Sequence, residues 1–137
     1  MAIYKNIEIT EHFLNTNPEA YFVFGDNLIR RGYGGAARLR DHPQAIGFVT
    51  KKFPDNRDTS FYSPDEYEDL FFDELEKLEN LIKTQPDKTF YISQLGSGLA
   101  NRYGIWGVLI QPNIVGKLLK FSNVVFCWEE NLVSKLS

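Results

Sequence analysis

The chain has 137 residues, and 15 basic against 18 acidic side chains leave a formal net charge of −3. That length predicts one domain over residues 1–137, large enough to bury its own core, while the negative balance argues against general nucleic-acid binding. A single cysteine, Cys127, excludes an internal disulfide framework or multi-cysteine zinc site, and no stretch approaches the ~18 apolar residues of a membrane span, so a cytoplasmic chain without a membrane partner is expected.

In chain order, the segment Ala2 to Ile9 can pair with a sheet, and Met1 to Glu11 lacks the basic start and apolar run of a signal peptide. Thr10 caps a predicted short helix over Glu11 to Leu14, which Asn17-Pro18 ends. Tyr21 to Phe24 reads as a buried strand stopped by Gly25-Asp26-Asn27. Gly32-Tyr33-Gly34-Gly35 opens a predicted helix from Ala36 to Asp41, with Pro43 just beyond it. Ala45 to Thr50 is a second strand, and the polar, Pro-containing Lys51 to Tyr62 a surface loop. Ser63-Pro64-Asp65-Glu66 carries a capping box and opens an amphipathic helix to about Lys83. Thr89 to Ser93 is a third strand, with the glycine loop Gly96-Ser97-Gly98-Leu99-Ala100 after it. Ile105 to Phe121 has helical periodicity, kinked or divided by Pro112 and Gly116. Asn123 to Trp128 is a last strand, and Glu129 to Ser137 a short helix or a frayed tail. Alternating strands and helices predict a three-layer α/β/α domain with a mostly parallel or mixed sheet.

Two glycine loops therefore follow strands and lead into helices. Ligands of parallel α/β sheets bind outside the carboxyl ends of the strands. Glycine lets backbone approach a ligand closely, and open N–H groups at such turns attract phosphate. Gly34 and Gly35 of the first loop and Gly96, Ser97 and Gly98 of the second are candidates to cradle a diphosphate between them. The same glycines also serve plain strand-to-helix turns. Neither loop is followed by the Gly-Lys-Ser/Thr of a P-loop, and Gly32 to Ala37 lies too far past its strand for the dinucleotide fingerprint.

Phe24-Gly25-Asp26-Asn27, with Gly34-Gly35-Ala36-Ala37 after a spacer, resembles the first ligand loop of macrodomains. Ser93 to Ala100 looks like the second, and Trp106 then sits at the next helix start. The chain is similar above all to small bacterial and phage macro-like proteins, through Phe24 to Asn27, Arg30 to Gly35, Ile46 to Lys52 and Gly96 to Ala100. The resemblance implies a macrodomain-like fold. It is reduced in size, because the segment before Tyr21 is too short for all the early strands. It also implies a pocket for ADP-ribose or a related nucleotide, and hydrolysis of an ADP-ribosyl derivative without a metal.

The candidate catalytic residues are Asp26, to bind a ribose hydroxyl or orient a water, and Asn27, which the resemblance implies holds the distal ribose; both residue types also brace turns. Candidate ligand contacts are Gly25, Arg31, Gly34, Gly35, Ala36, Arg38, Thr50 and Lys51 on the first side. Gly96, Ser97, Gly98, Leu99, Ala100 and Tyr103 face them from the second. Arginine suits phosphate and Tyr103 can stack on a base. Arg40 reads as a solvated helix position. His12 and His42 lie far apart in sequence, so no metal constellation is expected, and neither is a cofactor. The alternative function is a non-catalytic nucleotide-sensing or protein-interaction module.

Overall fold

A computed structural model of the chain describes residues 1–130. The predicted helix or frayed tail of Glu129 to Ser137 lies outside the described residues apart from its first two positions. The strands are β1 (Ile3–Tyr4), β2 (Ala20–Asn27), β3 (Ala45–Lys51), β4 (Thr89–Ile92) and β5 (Val124–Phe126). The α-helices are α1 (Glu11–Thr16), α2 (Pro64–Thr84) and α3 (Gln111–Leu118). The strands form one sheet in the order β1-β5-β4-β2-β3, and every pairing is parallel.

Three layers result. Val23, Phe48, Phe90, Ile92 and Phe126 on one face of the sheet meet Phe71, Leu75, Leu78 and Ile82 of α2 and Ile114 and Leu118 of α3. The opposite face, Phe22 and Phe24 of β2, packs with Ile9, Leu14 and Ala37. Among the described residues no helix is long and apolar enough to cross a membrane.

Helix α2 begins where its sequence demands. Ser63 Oγ accepts from the Glu66 amide, and the Glu66 carboxylate accepts from the Ser63 amide at 3.1 Å. Ser63→Ala is expected to cost about 1 kcal/mol of stability, measured by urea unfolding.

Two predicted elements differ. Strand β2 does not stop at Gly25 but runs to Asn27, because β3 continues alongside it to Asn27↔Lys51, past a register shift after Asp26. The predicted helix at Ala36 to Asp41 is a single 3₁₀ turn over Gly35–Ala37. Side chains claim the segment instead: Arg38 reaches the Ile9 carbonyl at 2.6 Å and Arg40 the Gly32 carbonyl at 2.7 Å. The break expected at Pro112 is present as a wide π turn over Trp106–Ile110 leading into α3.

Strand β3 forms an open edge of the sheet, and side chains cover it. Glu74 Oε1 accepts from the Val49 amide at 2.8 Å, the Tyr67 hydroxyl donates to the Val49 carbonyl, and Arg30 Nη1 reaches the Gly47 carbonyl at 3.3 Å. This occupies groups that would otherwise template another strand.

Candidate functional site

From β2 the chain moves outward to β3, then crosses back to β4 on the far side of β2. The β2–β4 seam is thus where the strand order reverses, the place at which parallel α/β sheets open a crevice. A cavity of about 470 Å³ lies there. Its wall takes Gly25, Asp26 and Asn27 from the end of β2, and Thr50 and Lys51 from the end of β3. Ser93 to Gly96 and Gly98 to Ala100 come from the loop after β4, and Arg31, Gly32 and Gly34 to Ala37 from the loop after β2.

Both glycine loops therefore face one space. Among the described residues, the N–H groups of Gly32, Tyr33, Gly34, Gly35 and Ala36 make no hydrogen bond, nor do those of Gly96, Gly98, Leu99 and Ala100. Positive φ angles hold both turns open: Gly32 at 93°, Gly35 at 52° and Gly96 at 71°. A Cβ on Gly96 would also stand 2.7 Å from Ile110 Cδ1, so the second loop needs glycine there for space as well as for conformation.

The electrostatics are asymmetric. The one carboxylate on the wall, Asp26, is already engaged. Its Oδ1 lies 2.6 Å from Arg40 Nη2 and accepts the Asn27 amide at 2.8 Å, and its Oδ2 lies 3.3 Å from Arg30 Nη1. The two cations on the wall, Arg31 and Lys51, form no ion pair among the described residues. Lys51 Nζ donates to the Asp55 carbonyl at 2.9 Å, and burial pushes its pKa below the ordinary 10.5, with the nearby Asp55 carboxylate opposing the change. Asp55 itself is held well below the usual carboxylate range by hydrogen bonds from Arg57, then Ser60.

Of the residues predicted to contact a ligand or act on it, Gly25, Asp26, Asn27, Arg31, Gly34, Gly35, Ala36, Thr50, Lys51, Gly96, Gly98, Leu99 and Ala100 line the cavity. Arg38, Ser97 and Tyr103 do not. Arg38 turns away to the Ile9 carbonyl and to Glu8 at 3.6 Å. Ser97 Oγ closes its own turn on the Gln94 carbonyl at 2.7 Å. The Tyr103 hydroxyl donates to the Asp58 carbonyl at 3.3 Å, and Arg102 pairs with the Asp58 carboxylate, so the second loop is tied to the segment after β3. Asn27 Nδ2 donates to the Arg31 carbonyl at 2.7 Å and braces the first loop. Trp106 and Trp128 pack edge to face, 5.2 Å apart, off the cavity wall. Cys127 is a thiol whose pKa burial pushes up to about 12.

Pro54 and Asn56 belong to the wall although sequence reasoning placed them in an ordinary surface loop. Lys51 anchors the start of that loop through Asp55 and Asn56, and Arg102 and Tyr103 tie it at Asp58 to the second glycine loop, a contact 45 residues apart in sequence for Tyr103 that leaves no local signal. Arg40 is not a solvated position: its side chain is only 12% exposed. Glu74 did leave a trace, an acid between Phe71 and Leu75 on the apolar face of α2.

The fold and cavity define a small parallel α/β domain with a crevice at the carboxyl ends of its strands. The chain belongs to a family of unknown function, DUF7831, whose model matches residues 4–101 and so spans the whole cavity wall. No curated protein and no solved structure matches it.

Proposed function

We propose that this domain binds ADP-ribose or a related nucleotide, seating its diphosphate between the two glycine loops. The observation that carries the proposal is the pair of loops with unpartnered amides on one cavity, with Arg31 and Lys51 beside them. Such amides hold an anion without the reorganisation that water would need, and a guanidinium adds a fork that matches phosphate. A single free thiol suits a reducing, cytoplasmic setting.

The state of Asp26 favours binding over hydrolysis. A general base must reach its water, and the Asp26 side chain is 2% exposed, with three of its roughly four lone-pair sites held by Arg30, Arg40 and the Asn27 amide. The domain then acts as a nucleotide-sensing module, and a product assay with ADP-ribosyl substrates should detect no turnover.

ADP-ribose at a hundredfold excess over Kd is expected to stabilise the protein by about 2.7 kcal/mol, read as a rise in melting temperature. Gly98→Val should remove that rise while leaving the melting temperature of the unliganded protein nearly unchanged. Gly98 lines the cavity, and a Cβ there meets no atom within 4 Å. Calorimetry that finds no binding of ADP-ribose, NAD or related nucleotides at millimolar concentration defeats the proposal.

A further inference from the structure

The first glycine loop is held by groups outside the cavity. Arg40 donates from Nε to the Gly32 carbonyl at 2.7 Å and from Nη2 to the Arg31 carbonyl at 3.1 Å. Its Nη2 also meets Asp26 Oδ1 at 2.6 Å, and its guanidinium lies 5.6 Å from the centre of the Phe24 ring. One nearly buried arginine thus clamps two consecutive loop carbonyls to the end of β2.

A trans peptide points its C=O and the following N–H in opposite directions. With the Arg31 and Gly32 carbonyls drawn to Arg40, the Gly32 and Tyr33 amides must face away from it. Those two amides begin the unpartnered run of the loop. The conformation is not one the chain prefers unaided, since Arg30 sits at φ 58°, a left-handed backbone that a side chain adopts only when held. Arg30 is held from the same carboxylate, with Nη1 3.3 Å from Asp26 Oδ2.

We propose that Arg40 is the positioning residue of the anion site: anchored by Asp26, it turns the Gly32 and Tyr33 amides outward to receive a phosphoryl group that it does not itself touch. This rests on the nucleotide-binding proposal for the cavity, and it adds a residue whose role is to preorganise donors. Lysine cannot replace it, because an ammonium lacks the planar fork that spans Asp26 and two carbonyls at once.

The test compares wild type, Arg40→Lys and Arg40→Ala by calorimetry with ADP-ribose and by amide NMR of the unliganded proteins. Arg40→Lys retains a cation for Asp26 and is expected to fold. Its ADP-ribose affinity should fall about tenfold or more, the scale of lost charged hydrogen bonds. The Gly32 and Tyr33 amide signals should shift and broaden while those of Gly96 and Gly98 stay in place. Arg40→Ala should behave likewise or worse. Unchanged Gly32 and Tyr33 signals with affinity within twofold of wild type would overturn the assignment. If wild type binds no ADP-ribose, the nucleotide proposal fails, and the unliganded amide signals of Arg40→Lys still decide whether Arg40 orients the loop.

Discussion

Asp26→Ala is expected to lose about 3–5 kcal/mol of folding stability, a large share of the roughly 5–15 kcal/mol a domain of this kind possesses. The Asp26 side chain is 2% exposed and joins Arg40, itself 12% exposed, to Arg30. Removing the carboxylate leaves a nearly buried guanidinium without its counter-charge, and that desolvation cost is what unfolding relieves. Asp26→Asn should fall between, since it keeps an acceptor but not the charge. Urea unfolding with an unchanged slope measures both. A loss below about 1 kcal/mol for Asp26→Ala would refute the anchoring role. Any change in ligand binding by an Asp26 variant must therefore be compared with its stability before chemistry is assigned to the carboxylate.

The second large effect concerns the two cations on the cavity wall, Arg31 and Lys51. Arg31→Ala and Lys51→Met should each weaken ADP-ribose binding about tenfold or more, the range for a charged hydrogen bond. The double variant should weaken it about a hundredfold if the two act independently. Arg31→Ala should lower stability little, because Arg31 forms no ion pair among the described residues, whereas Lys51→Met also removes the anchor on Asp55 and Asn56 and its stability is to be measured beside its affinity. For Lys51 the pH dependence has a defined sign. Its folded pKa is depressed, so between that value and 10.5 the unfolded chain binds more protons than the native one. Unliganded protein therefore gains stability from this group as pH rises through that window. A bound phosphate needs the ammonium, so affinity should fall over the same alkaline interval, and Lys51→Met should abolish that fall. Calorimetry from pH 7 to 10 reads both. A pH-independent affinity in wild type would separate Lys51 from the ligand.

Local pattern carried much of the fold. The capping box at Ser63 and the apolar spacing of Leu70 to Ile82 define α2 without help from the rest of the chain. The aromatic and β-branched runs at Tyr21, Thr89 and Val124 place three strands, because a strand buried on both faces must be apolar throughout. Alternation with helices left the sheet mostly parallel or mixed, and β2 and β3 pair in parallel although only a 3₁₀ turn lies between them. Arg38 and Tyr103 show where such inference stops. Each lies within a few residues of a glycine loop, yet Arg38 leaves for Ile9 and Tyr103 for Asp58, partners 29 and 45 residues away in sequence.

By itself, then, the order of residues determined the layered α/β architecture, the location of α2, and two glycine-rich bends after strands. Periodicity, capping and backbone freedom are short-range properties, and they are written locally. Only the tertiary structure decided that both bends border one cavity, because that depends on β3 and β4 flanking β2. It also decided that Asp26 is engaged by Arg30 and Arg40 while Arg31 and Lys51, among the described residues, form no ion pair. Charge pairing is a matter of distance in space: Arg30 reaches Asp26 and Glu74, while its chain neighbour Arg31 lines the cavity.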